Sequence, residues 1–297
     1  MSIKTSFSIK DLENLSGIKA HTIRIWEKRY NLLIPERTDT NIRTYDLDNL
    51  QKILNVVLLS ENGYKVSKIA ALDDKEMHRK VRDLAIDNSN SKHAINLFKI
   101  AMLNFDQQLF DNTFNQLLTQ SSFREIFLNV ILNLLEDIGI LWLSKTISPA
   151  HEHFISTLIE QKLLINIERV QNNKMEDRKT VVLFLPMHEI HEIGLLYIHF
   201  ELLLKGCKSI FLGPSVPISS LKELKDIFPE LTYISYFTVE PSTDKVAEYL
   251  SQFEEEVLKE RNEKLHLIGR NTKHLKNGSI PKNVFVHSDI IDLINSI

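Results

Sequence analysis

Apolar positions along the chain repeat with three different rhythms, and the rhythm changes mark three segments. In residues 1–75 the repeat is short and helical, broken by turn residues. Ser8 can cap a helix carrying Ile9, Leu12 and Leu15, and Gly17 then supplies the residue that tolerates positive φ. A second helix is expected from about Lys19 to Tyr30, with Ile23 and Trp26 facing inward. Pro35 ends that pattern, a short polar hairpin holds Arg37, Arg43 and Tyr45, and a third helix carries Leu47, Leu50, Ile53, Leu54 and Val57. Another short helix is expected in GYKVSKIAAL. Residues 90–172 read as helical throughout, with stripes at Ile95, Phe98, Met102, Phe105, Leu109 and Phe110, then Ile126, Val130, Leu134, Leu135 and Ile138, then Phe154, Leu158, Leu163 and Ile167. That spacing predicts a bundle of the four-helix type. Residues 178–297 change period again. KTVVLFLP, KSIFLG, LTYISYF, KLHLIG and KNVFVH are short apolar runs separated by helical stretches, which predicts a doubly wound, flavodoxin-like (Rossmann-like) parallel sheet.

Composition narrows the class. One cysteine in 297 residues makes an internal disulfide impossible and argues against a thiolate zinc site. The opening MSIKTSFSIKDLENL has charges where a signal peptide needs an apolar core, and no run of about 18 apolar residues is evident, so a cytoplasmic chain without a membrane span is expected. Net charge is -3, yet over residues 1–70 Lys and Arg outnumber Asp and Glu 11 to 8. A local basic excess thus falls on the segment with two short helices and a hairpin, where phosphate neutralisation would need it.

Isolated helix–turn–helix spacing is commonly just a packing motif. Here the run HTIRIWEKRYNLL, then IPER, NIRTYDLDNL and GYKVSKIAAL, resembles the MerR family of regulators. The resemblance implies a winged helix–turn–helix that binds a double-stranded operator as an oligomer. Thr22, Arg24 and Lys28 would lie on the recognition helix, and Arg37, Arg43 and Tyr45 in the wing. The long helix through which many members dimerise is not evident, so a homo-oligomer, dimer or tetramer, would form through other surfaces.

In the middle segment Trp142 follows a helical run, and His151, Glu152 and His153 open the next. A Trp there usually belongs to the core and a Glu usually compensates the helix dipole. In the last segment, the loop after the first strand reads Glu189-Ile190-His191-Glu192-Ile193-Gly194. Together these residues resemble the cobalamin-dependent, light-sensing MerR repressors of the CarH/LitR type, with Glu189 in place of the Asp of a DxHxxG motif and Leu143 where some relatives carry a His. What the resemblance implies is specific. His191 would ligate cobalt from below, held by Glu189, and Gly194 would admit the corrin closely. Trp142 and Glu152 would cover an adenosyl group, and His153 would take the upper position after photolysis. Ser235 and Gly269 would border the nucleotide tail, although Ile268-Gly269-Arg270 stands where the family has a Gly-Gly pair.

The expectation is a non-enzymatic transcriptional repressor, a photoreceptor with adenosylcobalamin placed between the bundle and the parallel sheet. Two alternatives stay open: a regulator of the same fold controlled by a protein partner without cobalamin, and a corrinoid methyl carrier, which would have no use for the DNA module.

Overall fold

The computed structural model describes all residues except 1–5, 74, 78, 82–90, 172–179, 260–262, 274 and 276–279. It divides into two compact units, Met1–Ile159 and Glu160–Ile297.

In the first unit, Ser8 and Asp11 form a reciprocal capping box at the start of helix α1 (Ile9–Ser16), which ends at Gly17 with φ 74°. Helix α2 (Ala20–Tyr30) follows after three residues and closes on Asn31 in the left-handed region. Leu12, Leu15 and Ile23 are buried as expected, whereas Trp26 is only half-buried. Three short strands, β1 (Phe7–Ser8), β2 (Glu36–Arg37) and β3 (Arg43–Tyr45), form a small antiparallel sheet in the order β1-β3-β2. The expected hairpin is therefore a wing with its own third strand. Helix α3 (Leu47–Glu61), capped by Asp46, buries Leu50, Ile53, Leu54 and Val57, and α4 (Val66–Ile69) follows.

The helical segment departs from one expectation. The stripe that includes Phe98, Phe105 and Phe110 is split between Ser91–Asn104 and Gln107–Leu118, because Phe105 takes φ 53° and Asp106 caps the second helix. Aromatic contacts join the pieces: Phe98 to Phe110 at 4.8 Å, Phe114 to Phe123 at 6.2 Å and Phe123 to Phe127 at 6.1 Å. Lys99 and Asp137 add an ion pair at 2.6 Å. The helix Phe123–Leu143, with a π turn at Phe127–Ile131, is long and apolar enough to cross a membrane by length and composition alone. No such span was evident from the sequence; only Glu136 and Asp137 interrupt the run's second half. Within this unit Phe127, Ile131, Leu134, Ile138 and Leu141 of that helix are buried.

The second unit contains the parallel sheet. Its strands are β4 (Thr180–Phe184), β5 (Ser209–Gly213), β6 (Leu231–Tyr236), β7 (Lys264–Ile268) and β8 (Val284–Val286), in the order β5-β4-β6-β7-β8, all parallel. Numbered within the sheet this is 2-1-3-4-5, the flavodoxin-like order, whose topological switch lies between β4 and β6. Every residue of β4 is buried, as a strand covered on both faces requires. One face packs Val182, Phe184, Tyr233 and Leu265 against Leu221, Leu250 and Phe253 from helices Ile218–Glu223 and Val246–Phe253. Helices Ile193–Leu204 and Ile290–Ser296 pack against each other and also pack on strands of the sheet.

Candidate functional sites

The recognition helix and wing are organised around a residue that the sequence reading passed over. Glu27, on α2, accepts from the Tyr45 hydroxyl at one carboxylate oxygen and from Arg43 Nε at the other, 3.1 Å away. One acid thus fixes β3 to the recognition helix. Burial, then the neighbouring Glu27 carboxylate, pushes the Tyr45 phenol well above its ordinary pKa, so it stays a proton donor. This corrects the expectation for Tyr45: with 1% exposure its ring cannot reach a phosphate, and it positions the wing instead. Arg43 is half-buried on the same anchor, and Thr22 is half-buried at the start of α2. Arg24, Lys28 and Arg37 are exposed, and the Arg37 guanidinium is aimed by a 2.6 Å hydrogen bond to Asn41 Oδ1 at the tip of the wing. The one sequence signal for Glu27 was an acid set among the bases of IRIWEKRY.

In the helical segment, Trp142 lies in the last turn of its helix, 46% exposed, with Ile140 and Leu143 also exposed beside it in sequence. Glu152 and His153 lie in the first turn of helix Pro149–Val170. His153 is exposed, with Nδ1 3.2 Å from Glu152 Oε2, and Ser156 Oγ donates to Glu152 Oε1 at 2.9 Å. The structure therefore pairs Glu152 with His153 and aims the carboxylate from both sides. His151 has a different place: it is buried, stacked on Phe105 at 4.9 Å, and hydrogen-bonded through Nδ1 to Ser148. Burial lowers its pKa, and it serves the core.

The loop that leaves β4 at the switch point has the most developed chemistry. Glu189 is fully buried. Its Oε2 accepts from three successive backbone N–H groups of the loop after β6: Thr238 at 3.2 Å, Val239 at 2.6 Å and Glu240 at 2.8 Å. Its Oε1 accepts from the N–H of Ile190 at 2.9 Å and of His191 at 3.0 Å, and faces His191 Nδ1 at 2.5 Å. Burial alone would raise this carboxyl's pKa. The hydrogen bonds from the His191 ring and from Val239, His191 and Glu240 outweigh it and lower the pKa to about 2. An ionised carboxylate can only accept, so Nδ1 must carry a proton, and whenever the ring is neutral the lone pair is on Nε2. That is the tautomer a metal ion requires, with its ring fixed by a carboxylate. The imidazole is 47% exposed at the carboxyl end of the sheet, where ligands of such sheets bind.

Neighbouring loops brace this arrangement. Ser215, in the loop after β5, accepts the His188 N–H at 2.9 Å. Gly269 takes φ 123°, and a side chain there would place its Cβ 2.3 Å from Phe237 O, so no other residue fits. The next residues continue the brace: Asn271 donates from its backbone to Phe237 O and from its side chain to Val239 O and Pro241 O. Ser235 is fully buried, its hydroxyl donating to Phe184 O at 2.9 Å. Gly194, in the first turn of helix Ile193–Leu204, is met by the Tyr236 ring. Glu189, His191 and Gly269 are thus linked through the loop at 237–241, while Ser235 and Gly194 are occupied by the chain itself.

Comparison with known proteins bears on each half. Residues 7–76 match the model of the MerR HTH family regulatory proteins, and residues 94–165 match the B12 binding domain. The chain is 26% identical over 223 residues to the HTH-type transcriptional repressor CarH of Myxococcus xanthus, covering 73% of each protein. It is 23% identical over 231 residues to CarA of the same organism, covering 77% of this chain and 75% of CarA. The Methanosarcina barkeri monomethylamine corrinoid protein shares the fold, with TM-score 0.52 over 75% of this chain and 98% of that one at 13% identity. The chain thus carries a segment that matches the MerR HTH regulators followed by one that matches the B12 binding domain. It is a homologue of the CarH and CarA repressors.

Proposed function

We propose that this regulator binds an operator through α2 and the wing, and that an adenosyl corrinoid held by His191 controls its assembly and its grip on DNA. The supporting observation is the Glu189–His191 pair, a 47% exposed imidazole whose Nδ1 is locked to a buried carboxylate. When bound, the corrinoid would supply a cobalt–carbon bond that light can break. Trp142 would exclude water from the organometallic face, and Glu152 would accept from the adenosyl group. The exposed His153 would offer a further imidazole able to ligate cobalt. The two cofactor states then differ in affinity for the oligomer, which is how light would shift the population that binds DNA. Arg24, Lys28 and Arg37 are the phosphate and base-edge candidates. As a homologue of repressors, the protein would act as a cytoplasmic, light-relieved repressor and a homo-oligomer, with no catalytic role.

The test is a spectrum. Protein mixed with adenosylcobalamin in the dark and desalted should keep corrin absorbance, and the absorbance should shift on green light. His191→Ala should lose retention by about 100-fold or more, beyond the 10–100-fold typical of losing a ligand's hydrogen-bond partner. Wild-type protein that holds no corrinoid of any kind would refute the reading. The second reading, control by a protein partner without cobalamin, is favoured by Arg270 after Gly269 and by Ser235 being committed to Phe184. A regulator that binds DNA equally in light and dark and stays colourless would establish it.

A further inference from the structure

We propose that Tyr236 is a gate in the corrinoid site, and that the resting protein prefers corrinoids lacking the nucleotide tail. The inference rests on the corrinoid reading above and adds which corrinoids the site takes.

A parallel sheet of this order opens a crevice between the carboxyl ends of the two strands at its switch point. Here those strands are β4 and β6. His191 stands on one lip, and the loop holding Glu189 forms the other. Tyr236 is the last residue of β6. A Cβ built on Gly194 would lie 2.7 Å from Tyr236 Cε2 and 3.1 Å from both Cδ2 and Cζ. The missing side chain at Gly194, three residues beyond His191, therefore makes room for this chain's own aromatic ring. Below it, Ser235 is fully buried and has given its hydroxyl to Phe184 O. On the far side, Gly269 is pressed against the backbone of Phe237. Tyr236, Ser235 and Gly269 thus place the protein's own atoms at the crevice beside His191.

Cobalamin carries a benzimidazole nucleotide on a flexible arm from the lower face of its ring. An imidazole that takes the lower cobalt position displaces that base, which must then be housed on the same side as His191. Housing it in this crevice requires the Tyr236 ring to leave Gly194. Cobinamide, the same macrocycle without the nucleotide, makes no such demand. If the ring is swung out in about one molecule in ten, the apparent affinity for the tailed ligand falls about tenfold.

Full-length protein is titrated with diaquocobinamide and with aquocobalamin, followed by visible absorption and by retention on desalting, for wild type, Tyr236→Phe and Tyr236→Ala. Wild type and Tyr236→Phe should bind cobinamide about tenfold or more tightly than cobalamin. Tyr236→Ala should close that gap by strengthening cobalamin binding and leave cobinamide nearly unchanged. Equal wild-type affinity for the two corrinoids would overturn the gate and leave the corrinoid reading standing. Failure of both wild type and Tyr236→Ala to hold either corrinoid would overturn both. The wild-type ratio decides the matter even if Tyr236→Ala does not fold.

Discussion

Two glutamates, one in each unit, do the same mechanical work by different electrostatics. Glu27 ties the wing to the recognition helix through a phenol and a guanidinium, at the border of solvent, with 9% of its side chain exposed. Glu189 is fully buried and ties the loops after β4 and β6 through five backbone N–H groups and one imidazole N–H, with no lysine or arginine among these donors. The difference decides what each acid can do. A carboxylate paired with Arg43 positions a basic surface. A carboxylate held by amide dipoles fixes one nitrogen of an imidazole as the donor, so that in the neutral ring the other nitrogen is the one able to bind a metal.

The largest expected effect follows from removing the buried acid. Glu189→Ala strands several buried N–H groups at about 1–3 kcal/mol each, so the second unit should lose about 3 kcal/mol or more. Hydrogen exchange of peptides from 231–241 should show it. Exchange protection equal to wild type would mean that water replaces the carboxylate and that the amide nest is not structural. Glu189→Gln keeps an acceptor and should fold better, yet it should weaken corrinoid binding by about 10–100-fold because the amide no longer fixes the His191 tautomer.

Glu27→Ala should cost less, about 1.5–3 kcal/mol, because it has two side-chain donors and one of them, Arg43, lies near enough to solvent for water to satisfy it. Its functional consequence should exceed its stability cost, since the wing loses its register on α2. In fluorescence anisotropy with duplex DNA, binding should weaken for every sequence alike. Tyr45→Phe should reproduce part of this, at about 1 kcal/mol. A variant with wild-type DNA affinity would assign Glu27 to packing alone.

Legibility in the sequence divides along the same line. Period and cap signals carried the fold: the Ser8 box, Gly17 and the strand–helix alternation after residue 178 all reappear. Residues whose chemistry lies in their own short motif were also legible, such as Glu189 with His191, two positions apart. Glu27 was not, because its partners lie 16 and 18 positions away and meet it only after β3 pairs. Tyr45 was misassigned for the same reason: exposure is a tertiary property, and a hairpin Tyr reads identically whether it faces DNA or the core. Gly194 had its motif position but not its neighbour, since Tyr236 reaches it only across the β4–β6 switch. The break at Phe105 was hidden because its apolar spacing continues across the turn.

The smallest effect concerns acid, and it separates the buried acid from the buried histidines around the same sheet. His199 and His266 are held neutral, each lowered to about 4, His199 by burial and His266 by burial and then by His287 and Lys264. His266 Nδ1 lies 2.9 Å from His287 Nε2, and His287 Nδ1 lies 3.2 Å from Asp292. In the unfolded chain both rings titrate near 6.5, so as pH falls from about 6.5 to about 4 the unfolded state takes up protons that the folded state refuses. Their contribution to stability is present above that window, is lost through it, and levels off below about 4. From neutral pH to pH 6 the loss should be about 0.7 kcal/mol per ring. Glu189 acts in a second, lower window, between 4.5 and about 2, where protonation costs the folded state its amide nest. A melting series against pH should therefore fall in two stages. His266→Gln should shrink the upper stage to the share that His199 carries and leave the lower one, and Glu189→Gln should remove the lower stage and leave the upper. If both variants move the same stage, the histidines and the acid titrate as one coupled unit, and the separation between ligand-holding acid and structural histidines fails.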